Sequence, residues 1–240
     1  MELPKAKTSR QLSFEEAIVY IYGESKAGKT LFTSKNANCI ILDCEGGSQY
    51  LEAYRIEIRS WGDIMEAYKL LLKEKADYCP ISIDPISRAY EMLIEQCCKE
   101  AHCKSPHLRL WGEINQRMLQ MVTSFAALKH GLWLIDHSRN EIEEGAEDIK
   151  DYEKSRGIIG DTLRRKIQGK CNVIGYLHLK TIRDGEKIGQ QRVLELASSP
   201  YFEAGVWGIN LPPQIFLTDV GDHSDLDKFL SYFGKNEVIK

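Results

Sequence analysis

Gly23-Glu24-Ser25-Lys26-Ala27-Gly28-Lys29-Thr30 decides how the chain is read. It matches G-x-x-x-x-G-K-[ST] at every fixed position, and the apolar run Ala17–Tyr22 comes directly before it. A strand, then a glycine loop, then a helix from Lys29 is the setting this pattern requires. Gly23 and Gly28 are expected to permit backbone angles that turn successive N–H groups onto phosphate oxygens. The cradle predicted here is Gly23, Glu24, Ser25, Lys26, Ala27, Gly28, Lys29, Thr30 and Leu31, with the Lys29 ammonium on the outer phosphates and the Thr30 hydroxyl on Mg²⁺. The helix that follows points its positive end at the same anions. ATP and Mg²⁺ are therefore the expected ligands.

Outward from the loop, short apolar runs alternate with amphipathic stretches. Asn38–Asp43, Tyr78–Asp84 and Leu132–Asp136 read as buried parallel strands. Trp61–Lys75, Ile86–Cys103, Leu110–Lys129 and Asp161–Gln168 read as helices, with Ser60 a cap for the first. Asn172–His178 and Gln191–Leu196 are expected to pair antiparallel across a turn at Arg183–Glu186, and Gln214–Leu217 supplies a last strand before a C-terminal helix over Asp225–Phe233. The fold class predicted is α/β: three layers around a wound and mainly parallel sheet, with an antiparallel C-terminal extension and a P-loop nucleotide site. No repeat or domain boundary interrupts it, so residues 1–240 read as one domain, with 1–14 a loose lead-in and 138–157 a charged mobile loop.

Carboxylates and one histidine fall at the ends of these strands, the edge where wound sheets bind ligands. Asp84 either orients Mg²⁺ in the Walker B manner or caps the following helix. Glu45 is either a general base for water or a turn residue in Asp43–Gly47. His137 either senses the outer phosphate or simply ends its strand. The catalytic set is thus Lys29, Glu45, Asp84 and His137, and the metal set Thr30 and Asp84. Arg164–Lys166 read as a solvated helix face, and other cations, Arg139, Arg156, Lys170, Lys180, Arg183 and Arg192, are available for phosphates. Cys97, Cys98, His102, Cys103 and His107 lie close in sequence without a familiar zinc spacing and read better as helix packing.

A net charge of −3 rules out polyanion binding by bulk electrostatics and leaves only local basic patches for nucleic acid. Seven cysteines, no apolar leader and no bilayer-length run point to a reduced, cytoplasmic protein.

Taken together, Gly23–Thr30, Leu42–Gly47, Ile81–Asp84, Ile135–His137, Cys171–Leu177 and Ser199–Pro212 resemble the bacteriophage-encoded RecA-like P-loop ATPases, short AAA-type proteins related to single-strand annealing and recombination ATPases. The resemblance spans about residues 17–217. It implies one strand between the Walker A and Walker B strands, Glu45 acting on water, homo-oligomers with ATP sites shared between subunits, and single-stranded DNA held by loops near the axis. It also implies other phage recombination or replication proteins as partners and the host cytoplasm as location. The chain departs from that pattern where Pro85 follows Asp84. Gly205–Trp207 lacks a basic residue, and Glu141, Glu143, Glu144, Glu147, Asp148 and Asp151 outnumber the cations of the expected DNA loop. Two other readings of the nucleotide site remain: a nucleotide-dependent switch or assembly factor acting on a protein, and a small-molecule kinase with Arg164-Arg165 as lid.

Overall fold

The computed structural model describes residues 11–73, 77–144, 151–184, 187–219 and 221–234. The P-loop strand β1 (Ile18–Gly23) lies in the middle of a sheet ordered β10-β8-β7-β1-β5-β4-β2-β3. The other strands on this path are β2 (Ile40–Asp43), β3 (Tyr54–Glu57), β4 (Ile81–Asp84), β5 (Leu132–Glu143), β7 (Val173–Asp184), β8 (Lys187–Glu195) and β10 (Gln214–Phe216), while the short β9 (Gly205–Val206) pairs with β7 off the path. From β3 to β7 the pairing is parallel throughout, and β8 and β10 then run antiparallel. One strand, β5, separates the P-loop strand from β4, as the resemblance implied.

Alternation along β1 builds the three layers. Tyr20 and Tyr22 face one core and Val19 and Ile21 the other. The first core is covered by α2 (Trp61–Lys73), α3 (Ile86–Glu100), α4 (Leu108–Ala126) and α5 (Asp161–Gln168). The second is covered by α1 (Lys29–Ser34) and α6 (Ser224–Leu230), where Phe32, Trp133 and Phe229 pack ring against ring at centroid distances of 5.6–5.8 Å. Ser60 does cap α2, accepting from the Asp63 amide at 3.3 Å, while the Asp63 carboxylate reaches back to the amides of Arg59 and Ser60.

The structure departs from the sequence reading in three places. Most of 138–157 is not a loop: β5 continues to Glu143 and pairs with β6 (Tyr152–Gly157), from Ser138 opposite Gly157 to Glu143 opposite Tyr152. Residues 145–150 lie outside the described residues. The hairpin holds because its acids are answered: Arg156 bridges Glu141, Glu143 and Glu203, and Arg139 bridges Glu141. Charge density alone had concealed the period of two. Secondly, Arg164 is not on a solvated face but fully buried, donating to Asp161 at 2.8 Å and facing the Gly157 and Ile159 carbonyls; Arg165 and Lys166 are exposed. Thirdly, the end of the 1–14 lead-in is docked. Ser13 bridges to Gly234, and Phe14 packs on Trp133 and Phe233; residues 1–10 lie outside the described residues.

A buried ion pair locks the α1 layer. The Lys35 ammonium donates to both Asp225 oxygens at 2.8–2.9 Å and to the Thr218 hydroxyl and carbonyl. The two side chains are only 3% and 0% exposed. Removing one partner strands a charge in the interior, so Asp225→Ala should cost about 3–5 kcal/mol in urea unfolding. The paired Lys35→Met/Asp225→Leu change should recover most of that loss. A single variant within about 1 kcal/mol of wild type would show that the pair is solvated in solution.

Candidate nucleotide and metal site

Parallel register delivers the site. Gly23 is level with His137 on β5 and Leu177 on β7, and Asp43 is level with Asp84. All five positions therefore open on the same edge, where a cleft of about 400 Å³ is lined by Ser25, Lys26, Lys29, Thr30, Glu45, Asp84 and His137, among others.

The two loop glycines do different work. Gly28 has φ 102, in the region side chains rarely adopt, and starts α1. Gly23 has no such angle. It ends β1, and a Cβ there would stand 1.9 Å from the Leu177 carbonyl oxygen. Glycine is required at 23 by the closeness of β7, which corrects the expectation of a special turn angle. Lys26 takes a left-handed angle, φ 64, with its side chain exposed at the mouth.

Lys29 lies buried under the loop, donating to the carbonyls of Gly23 at 2.9 Å and Glu24 at 2.7 Å. Burial pulls its pKa below the usual lysine value, against the opposing pull of Asp84, Asp136, Glu24 and Glu45. The Thr30 hydroxyl donates to Asp84 Oδ2 at 2.6 Å. Burial lifts the Asp84 carboxyl to about 6, although the Thr30 hydrogen bond and the Lys29 charge favour its ionised form. The capping alternative for Asp84 fails, because α3 is capped at Pro85 with no side-chain bond.

The turn after β2 is made by Asp43, which sequence reading left without a role. Its Oδ1 accepts from the amides of Glu45, Gly46 and Gly47 at 2.6–3.2 Å, and its Oδ2 from the amide and hydroxyl of Ser48. Burial would raise its pKa, but the Ser48 bonds and the backbone amides overcome this and hold it low. Glu45 is thereby relieved of the turn, and its Oε2 lies 3.2 Å from His137 Nε2 at the cleft wall. His137 in turn has its amide held by Asp136 Oδ1 at 2.9 Å. Asp136, fully buried, also accepts from Tyr20 at 2.6 Å, and burial raises its pKa.

Of the predicted set, Ser25, Lys26, Gly28, Lys29, Thr30, Leu31, Glu45, Asp84 and His137 line the cleft. Gly23 and Glu24 hold Lys29 through their carbonyls, and Ala27 is buried in the loop. Arg192 of β8, one of the several cations that the sequence offered for phosphates, also lines the cleft; its position opposite the loop sets it apart from the others. Arg164 and Arg165 do not line it. The donor set suits Mg²⁺: a hydroxyl and one carboxylate, hard oxygens that leave most coordination to water and phosphate. Among the described residues no three His, Cys, Asp or Glu side chains gather as a metal site, and Cys97 is buried in the helical core beside Arg117. Among the same residues no helix is long and apolar enough to cross a membrane.

A profile of the AAA domain family matches residues 15–206, and the chain belongs to that family. No curated protein matches it. The match covers every strand that meets the cleft and ends before β10 and α6.

The raised Asp84 pKa sets a pH test. A folded-state value above that of the unfolded chain means that the native protein holds an extra proton between the two, so ionising Asp84 costs stability as pH rises. Metal-free Asp84→Asn should therefore be more stable than wild type at pH 7.5, by about 1–3 kcal/mol. The difference should shrink as pH falls through about 6, and denaturant titrations at pH 7.5 and 5 measure it. An equal difference at both values would mean that burial does not govern this carboxyl.

Proposed function

We propose that this AAA domain protein is a Mg²⁺-dependent ATPase that couples hydrolysis to work on single-stranded DNA as a homo-oligomer. One observation carries the enzymatic part: Lys29, the Thr30–Asp84 pair and Glu45 converge on one cleft at the mouth of a glycine loop.

The amides of Gly23–Leu31 hold the phosphate chain, and Lys29 exchanges its loop carbonyls for the outer phosphates. Thr30 and Asp84 hold Mg²⁺, which would neutralise phosphate charge when bound. Glu45 takes the proton of the attacking water as oxygen bonds to the γ-phosphorus and the bond to the β-phosphate oxygen breaks. His137, level with Gly23 and bonded to Glu45, positions that carboxylate and ties it to the β5–β6 arm.

The DNA part rests on the resemblance to phage recombination ATPases and on the β7–β8 arm. That arm continues past the sheet edge with Lys180 and Arg183 exposed. The same resemblance supports a bacteriophage setting, a host-cell cytoplasmic location and recombination or replication proteins as partners. The β5–β6 arm favours a second reading, a nucleotide-dependent switch acting on a protein. Its Arg156 and Arg139 are committed to Glu141, Glu143, Glu203 and Asp161, which leaves them poor phosphate ligands. The kinase reading loses its lid, since Arg164 is buried elsewhere.

Two substitutions separate binding from chemistry. Lys29→Ala should abolish ATP binding. Glu45→Gln should bind ATP normally while hydrolysis falls by about 10²-fold or more. A Glu45→Gln enzyme that hydrolyses at the wild-type rate would remove Glu45 from the mechanism. Wild-type ATPase should rise with single-stranded DNA at low salt; a rate indifferent to DNA, together with no DNA binding, would favour the protein-switch reading.

A further inference from the structure

Arg192 is a half-buried guanidinium for which no side-chain partner is found among the described residues. It stands on β8 opposite Leu179 of β7, two residues beyond the Leu177 position that is level with Gly23. The antiparallel extension therefore carries it just past the edge from which the P-loop springs. Its backbone is fixed there, because the Arg192 carbonyl accepts from the Leu217 amide at 2.9 Å. The side chain then turns back over the subunit's own loop. A Cβ built on Gly28 would meet Arg192 Cδ at 3.1 Å, Nε at 3.3 Å and Cζ at 3.9 Å.

Three other partly or fully buried arginines contrast with it. Arg156 is bound to three carboxylates, Arg164 to Asp161 and Arg117 to Glu100. None of the Arg192 nitrogens is buried without a partner, so its five N–H donors are left to solvent and stay open to an anion that enters the cleft. The acids of the same cleft, Asp43, Asp84 and Glu45, are engaged by backbone amides and Ser48, by Thr30 and by His137 respectively.

We infer that Arg192 binds the phosphate chain of the nucleotide held by the P-loop of its own subunit. This rests on the nucleotide reading given above and adds to it a cation from the antiparallel extension, acting within one chain. A guanidinium offers a planar pair of donors that fits two phosphate oxygens, which an ammonium at this position would not reproduce. The contact also explains why Gly28 is closed to larger residues on both counts, its backbone angle and the arginine lying over it.

Equilibrium binding of ATP to wild type, Arg192→Gln, Arg192→Lys and Lys29→Ala tests this. Arg192→Gln should raise the ATP Kd by about 10- to 100-fold, the loss expected for a charge-assisted hydrogen bond. Arg192→Lys should fall between it and wild type, and a thermal melt of each apo variant should match wild type because no protein partner is lost. Wild type that binds ATP alongside an Arg192→Gln variant of equal affinity overturns the assignment and leaves the P-loop reading standing. Wild type that binds no better than Lys29→Ala overturns both. Mixing decides whether the contact lies within one chain. If Arg192 served a neighbour's site, combining Arg192→Gln with Lys29→Ala subunits would restore ATPase activity at mixed sites; activity that stays lost supports the contact within one subunit, and recovered activity overturns it.

Discussion

Parallel pairing in register is the constraint on which the rest depends. In a parallel ladder every strand ends on the same side, so residues level with one another arrive at one edge. Gly23, His137 and Leu177 are level, as are Asp43 and Asp84. A slip of one residue in any of these ladders would turn the terminal side chain to the opposite face of the sheet. The register is held by burial on both faces. Tyr20 and Tyr22 cannot exchange places with Val19 and Ile21 without driving phenol oxygens into the aromatic layer around Trp133. The fixed partners of those hydroxyls, Asp136 for Tyr20 and the Glu203 carbonyl for Tyr22, add a polar reason for the same register.

That edge concentrates charge, and the protein answers each charge separately. Asp43 is saturated by four amides and a hydroxyl, which makes it a fixed support for the turn. Asp84 has a single donor, Thr30, and burial against it, so it keeps lone pairs to offer a cation. The two carboxylates are neighbours in the ladder and look equivalent in sequence. Their difference in hydrogen bonding, and hence in the direction of their pKa values, separates an acid committed to a turn from one with lone pairs left over.

Most of this was legible in the sequence. The P-loop, the strand-end acids and the alternation of strands and helices are local signals: each depends on residues near one another in the chain. What was missed depends on distant partners. Arg164 reads as one of three cations in a row; Asp161 and the Gly157 and Ile159 carbonyls are near it in sequence, but Glu203, which faces its Nε at 3.4 Å, is not. The β5–β6 hairpin was hidden because acids on both strands look like mutual repulsion until Arg156 is placed among them. Gly23 illustrates the same limit. Its glycine was legible, but its reason is the Leu177 carbonyl, a contact across the sheet that no local pattern contains.

The two arms that continue beyond the sheet edge use their arginines in opposite ways. On β5–β6 the cations are consumed by carboxylates of the arm itself and by Glu203, so its surface presents satisfied ion pairs. On β7–β8 Glu195 engages His178 and Lys180, but Arg192, further along the same strand, is left to the cleft. Because Arg192 hangs over Gly28 while its backbone is bonded to Leu217, an anion drawn to that guanidinium would pull directly on the β8–β10 edge. His137 gives the other arm a comparable hold through Glu45. Each arm is thus rooted in one residue at the wall of the same cleft. A change in what occupies the cleft would therefore meet one residue of each arm directly.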